Sequence, residues 1–241
     1  MREAPIKTSA FAQGLRNTSA TAKEKVGTIR ILDNGTKWRY SKAGAALSAG
    51  KVTVAAAVPA AHITAALASY NTTYTQVTLT ITAGTAIAEN KFTGGVMQVE
   101  SGTGAGKSFR IGANTAVTSA GTSITLDLED PAVGLDATSK LALIHSPWYG
   151  VTHTTTEESL ATGVPLVDVA DGYFCWLQTG GPACTLVNGT PAVGTMLTLS
   201  GTSGALQAMN ATLDIDMPIV AVSWGTAGVS GEYKPVFMKI D

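Results

Sequence analysis

The segment SGTGAGKS at positions 101–108 has the residue types of a phosphate cradle. A P-loop needs Gly five positions before its closing Gly-Lys pair, and Ser101 stands there. The residues after Ser108 alternate as a strand, whereas a cradle needs a helix N-terminus whose free N–H groups point at the ligand. The dinucleotide pattern G-x-G-x-x-G fails as well, because Gly106 follows Gly104 by only two positions. A glycine-rich hairpin loop is expected instead.

The three histidines, His62, His145 and His153, are the natural candidates for base catalysis or metal binding, but none lies two or four residues from another. Packing or loop positions are expected for them, and a solvated loop for Glu157 and Glu158. Asp127, Glu129 and Asp130 offer oxygen ligands without the spaced pattern of a calcium loop, and no serine sits in a G-x-S-x-G elbow. No catalytic, cofactor-binding or metal-binding residue is therefore expected, and the chain reads as a non-enzyme.

Cys175 and Cys184 flank a Thr-Gly-Gly-Pro stretch, so one hairpin is expected to hold both. A two-residue loop at Thr179-Gly180 would set them opposite each other, the only register in which a disulfide is plausible. The N-terminus has no secretory signal, which favours reduced thiols. Tyr173, Phe174 and Trp176, with Trp148 and Trp224, could form a sugar-stacking platform. Phe174 and Trp176 fall on one strand face and Tyr173, Cys175 and Leu177 on the other, so core or subunit interface is the better reading.

The 241 residues can bury a substantial core. Charged residues make up only 14%, replaced by Thr, Ser, Ala and 26 Gly, which favour many short strands. A net charge of −1 provides no electrostatic footprint for nucleic acid or anionic lipid. Val52 to Ala88 carries no charge, yet its Pro59, His62, Asn71 and alternating Thr argue against a membrane span.

The fold class expected is all-β: two small antiparallel β-barrel or β-sandwich domains preceded by an extended arm. Residues 1–25 form the arm, polar and aperiodic, mobile when alone and ordered across a partner. Residues 26–150 form a β domain that opens with a hairpin at Asn34-Gly35. A two-residue type I′ loop would pair Ile31 with Trp38, Ile29 with Tyr40 and Arg30 with Arg39. The two facing arginines would suit an acidic neighbour. Val77-Leu79-Ile81 and Ile124-Leu126-Leu128 alternate as strands, and residues 94–111 read as a second hairpin. Leu141 to Ile144 adds a strand, and a short helix is expected around Ala60 to Ser69. Pro147 to Leu160 reads as a connector, and residues 151–241 as a C-terminal barrel or sandwich.

The succession GVPLVDVADGYFCWLQTGGPACTLVNGTPAVGTMLTLSG and then PIVAVSWGTAGVSGEYKPVFMKID resembles the capsid decoration (cement) proteins of tailed bacteriophages. KVGTIRILDNGTKWRYSKAGAALSAGKV and ENKFTGGVMQVESGTGAGKSFRI are similar to that family too. The resemblance implies a protein on the outer capsid surface of the virion that binds the major capsid protein, bridges capsomers and acts without a cofactor. It also implies association with itself as a homotrimer, with no nucleic acid and no membrane as partner. Tail or fibre components and carbohydrate-binding β domains are the competing readings.

Overall fold

The computed structural model describes residues 11–62, 64–84, 86–210 and 217–241. Among these, sixteen strands follow in chain order. The first eight are β1 (Ile29–Ile31), β2 (Lys37–Ala43), β3 (Thr53–Val54), β4 (Ala65–Tyr70), β5 (Gln76–Thr80), β6 (Val96–Ser101), β7 (Ser108–Asn114) and β8 (Ser123–Leu128). Then come β9 (Lys140–Ile144), β10 (Tyr149–Val151), β11 (Ala161–Pro165), β12 (Phe174–Leu186), β13 (Met196–Leu199), β14 (Leu206–Ala208), β15 (Ala221–Ser223) and β16 (Tyr233–Lys239). The expected helix near Ala60 is a single 3-10 turn, Ala60–His62, and the Ala-rich residues after it form β4. Alanine's helical preference is weak against the pairing that β4 makes with both β5 and β9.

The all-β expectation holds, but the chain divides differently from the expected boundary near 150. Residues 57–146 form one unit, and residues 11–56 with 147–241 form the other. The reason is pairing at long range: β2 lies antiparallel to β12, with Tyr40 opposite Trp176, and parallel to β10. An isolated bridge joins Val54 to Thr152, so the chain leaves the larger unit and re-enters it at neighbouring points. Local composition cannot reveal such a pair. The Pro147–Leu160 connector is therefore partly sheet, carrying β10.

The smaller unit is a closed barrel in the order β4-β5-β8-β7-β6-β9, every pair antiparallel. Alternation fills it. Val77 and Leu79 face Leu126 and Ile124 across β5 and β8, Met97 faces Phe109 and Leu143, and Val99 faces Leu141, all of them buried in one core. The outward partners on β5 and β8 are polar: Gln76 donates to Asp127 at 2.8 Å, and the Thr78 and Thr125 hydroxyls meet at 3.2 Å.

The larger unit is built on a sheet in the order β1-β2-β12-β16-β15-β13-β14, with β10 beside β2 and β11 joining β12 to β3. β12 is its spine. Phe174 to Gly180 pair with β2, and Gly180 to Leu186 pair with β16. The expected Cys175/Cys184 hairpin is thus one continuous strand that changes partners at a glycine bulge. Thr-Gly-Gly-Pro signals a turn locally, but bending there would forfeit both ladders.

The first hairpin also differs in register. Leu32 donates to Thr36 O and Gly35 to Leu32 O, both at 3.0 Å, closing a three-residue loop in which Gly35 alone has positive φ, 79°. Asn34 Oδ1 instead accepts from Thr36 N at 3.1 Å and from Thr36 Oγ1 at 2.8 Å, which settles the loop as a turn plus bulge. Each pair slips by one residue, and Ile29 sits opposite Arg39, Arg30 opposite Trp38 and Ile31 opposite Lys37.

Candidate functional site

Residues 11–25 are not a free arm: they lie across their own body. Phe11 meets Trp176 edge to face at 5.2 Å, and Gln13 is buried beneath it. The Tyr40 hydroxyl donates to Gln13 Oε1 at 2.8 Å while accepting from Lys23 N at 3.0 Å. Gln13 Nε2 donates to Asn17 O at 2.6 Å and Phe174 O at 3.1 Å, and Trp176 Nε1 donates to Gln13 O at 3.1 Å. Burial raises the Tyr40 pKa above its ordinary value, so the hydroxyl keeps its proton and its donor role. The arm reads as polar in the sequence because Phe11 and Leu15 are its only large apolar residues after position 10 and are followed by a polar, charged run. Their partners, Tyr40, Phe174 and Trp176, are far along the chain, and only the fold brings them together.

The two arginines expected to face each other have separate tasks. Arg30 stacks over Phe11 at 4.6 Å, helping to hold the arm. Arg39 lies over Trp148 at 4.3 Å and grips Asp241. The charge of Arg39 is thus matched within the chain, by Asp241.

The phosphate-cradle look-alike is the β6–β7 loop, as expected. Four of its amides are occupied: Thr103 N bonds Thr138 Oγ1, Ala105 N bonds Gly102 O, Gly106 N bonds Val99 O and Lys107 N bonds Gly104 O. Lys107 Nζ reaches Val133 O at 3.1 Å.

The histidines do not converge on a site. His153 joins two segments: Nε2 accepts from Ser48 N at 2.9 Å, which leaves Nδ1 to donate to Val52 O at 2.9 Å. Burial lowers its pKa, so the neutral tautomer that makes both bonds persists. His145 is buried with Nδ1 3.0 Å from Ser146 O. His62 is fully buried edge-on against Phe92 at 5.2 Å, and among the described residues neither ring nitrogen has a hydrogen-bond partner. Burial, helped by the charges of Lys91 and His145, lowers its pKa to about 4.

The acidic candidates are also spread out. Glu157, expected in a solvated loop, instead pins a turn by accepting from Gly201 N at 2.8 Å and Gln207 Nε2 at 3.3 Å. Glu129 pairs with Arg110 at 3.3 Å, and Asp127 accepts from Gln76. Among the described residues no three of His, Cys, Asp and Glu come together. Both cysteines are free, and burial pushes the Cys175 thiol up to about 12 while Cys184 is exposed.

Phe174 and Trp176 belong to the aromatic core under the arm, as the alternation implied, while Trp224 is exposed. A cleft of about 470 Å³ opens in the larger unit between Pro165, Leu166, Ala183 and Tyr233. Its polar rim is already engaged: Asp168 Oδ1 accepts from Ala49 N at 2.8 Å, and Gln178 Nε2 donates to Gly180 O and Pro182 O. Three residues that no local pattern singled out, Gln13, Asn114 and Asp241, each tie distant segments together. Asn114 does so by accepting from Phe92 N and donating to Ala88 O.

Set against protein-family models, curated proteins and solved structures, the chain matches none of them.

Proposed function

We propose that this chain is a capsid decoration protein of a tailed bacteriophage, which binds the outer surface of the major capsid shell and stabilises it by bridging capsomers. One observation supports the reading, together with the resemblance of its sequence: several of the chemistry-bearing groups hold segments of the chain together. Four glycine-loop amides, His153, Glu157, Asp168, Asn114 and Asp241 each have an intramolecular partner. What faces outward on β5 and β8 is a row of hydroxyl and amide groups with a single carboxylate, Asp127. Such a surface suits permanent contact with neighbours. Many copies on one shell need only modest affinity each, because every copy is held by the lattice as well as by its own contacts.

The test is sedimentation of the purified chain with capsid shells that lack it, followed by a difference map of decorated and bare shells. Decoration predicts saturable co-sedimentation, density on the outer surface and shells that rupture at a higher temperature. A chain that stays in the supernatant at saturating concentrations would overturn the reading. Binding of the monomer to a glycan array without shell binding would transfer the function to carbohydrate recognition.

A further inference from the structure

One face of the larger unit's sheet presents apolar side chains in register across four strands. Met196 on β13 is opposite Val222 on β15, Val222 is opposite Phe237 on β16, and Phe237 is opposite Pro182 on β12. The neighbouring row, Leu197, Ala221 and Met238, points the other way into the core. Alternation therefore places the first row outward, where Met196 is 48% and Phe237 42% exposed. A second outward row runs beside it: Trp224 N donates to Pro235 O at 3.1 Å, and Pro235 is opposite the exposed Cys184. Trp224 is 53% exposed and Tyr233, two residues before Pro235, 47%.

We propose that this face binds a second copy of the chain, sheet against sheet about a twofold axis. Two properties of the face select that occupant. The first is charge. Neither row contains a charged side chain, and Lys239, exposed two residues beyond Phe237 on the same face, lies outside them, so an axis through the two rows brings no like charges together at the centre of the contact, where a self-contact is otherwise penalised. The second is area. A large aromatic side chain can bury about 150–250 Å², so three of them half exposed, with Met196, Val222 and the two prolines, leave on the order of 500 Å² of apolar surface. Two copies would cover about 1,000 Å², which reaches the range of a specific interface.

Stacked at about 10 Å, the two faces would make one β-sandwich across the axis, with the outward rows as its core. The contact is isologous and closes at two copies, in contrast to the homotrimer that the family resemblance implies. The inference does not depend on the capsid reading.

Sedimentation equilibrium of the native chain at concentrations up to about 100 µM covers the affinities such an area supports. The expected result is a monomer–dimer equilibrium that Phe237→Glu and Met196→Glu each weaken at least ~10-fold, as burying an unpaired charge in an apolar contact should. Both positions point outward, and circular dichroism reports whether each variant keeps the native spectrum. Cys184 supplies a second readout without mutation: it lies on the face, and the only other thiol, Cys175, is buried. Its labelling by a bulky maleimide should slow as the protein is concentrated, and stay fast in Phe237→Glu. A native chain that remains monomeric throughout overturns the proposal, as does a dimer or trimer that survives both substitutions. If the native chain is monomeric and the two variants lose only shell binding, the face belongs to the capsid protein instead.

Discussion

Arg39 closes on both carboxylate oxygens of Asp241, Nε to Oδ2 at 2.7 Å and Nη2 to Oδ1 at 3.0 Å, across 202 positions of chain. The fork ties β2 to the segment that follows β16, while the guanidinium lies over Trp148. Both side chains are about four-fifths covered. Burial opposes the charged carboxylate, and Arg39's hydrogen bonds and charge overcome it, holding Asp241 below its ordinary value.

Asp241→Asn keeps the shape and removes the charge, so it should destabilise the larger unit by about 1 kcal/mol, a value tempered by partial exposure. The contribution is present above the ordinary carboxylate pKa of 3.8 and is lost as pH falls through the lower folded value. Urea unfolding followed by tryptophan fluorescence would measure it. All four tryptophans, Trp38, Trp148, Trp176 and Trp224, lie in the larger unit.

The arm makes a stability prediction opposite to that of a free tail. Gln13→Ala takes away the acceptor of the buried Tyr40 hydroxyl and the amide that bridges Asn17 O and Phe174 O, which costs about 1–3 kcal/mol. Deleting residues 1–24 also removes Phe11, and should lower the unfolding midpoint of the larger unit further. An unchanged fluorescence transition in the deletion would contradict the packed arm.

Gly102 separates a structural glycine from a phosphate-binding one. Its φ is 78°, and a Cβ there would run into the carbonyl oxygen of Thr138. Gly102→Ala should therefore destabilise the barrel by more than about 1 kcal/mol. Nucleotide should neither stabilise the native chain nor protect the variant in a thermal-shift measurement.

His62 predicts acid sensitivity in the barrel. The folded pKa of about 4 lies below the ordinary 6.5, so the fold favours the neutral ring. Its contribution is complete above pH 6.5, shrinks as pH falls, and is gone below pH 4. The total loss is about 3 kcal/mol, since each tenfold drop in the ring's proton affinity corresponds to about 1.4 kcal/mol. Hydrogen exchange of the β5 and β8 amides, corrected for intrinsic rate, should show protection falling over that window. His62→Leu should flatten the dependence.

Short-range pattern and long-range pairing divide the rest. The barrel strands were legible because alternation has a period of two and each run, such as Val77-Leu79 or Ile124-Leu126, buries one face whatever its partner. The β6–β7 loop was legible because a strand follows the glycines. The hairpin at Asn34-Gly35 was legible as a turn but not in register, since one hydrogen bond more or less at Thr36 shifts every pair. The Cys175–Cys184 stretch misled because Thr-Gly-Gly-Pro is turn chemistry unless two separate strands, β2 and β16, are waiting to pair with it.

By itself, then, the sequence determined the all-β class, the low charge content and which strand faces are apolar, because these follow from residue type and nearest-neighbour periodicity. Only the tertiary structure decided that residues 11–56 join 147–241, that Phe11 and Gln13 pack against Trp176 and Tyr40, and that Asp241 takes Arg39. Each of those contacts closes a loop of well over a hundred residues or joins side chains with no common period. Their free energy comes from burial and hydrogen bonds that exist only once the sheet has formed.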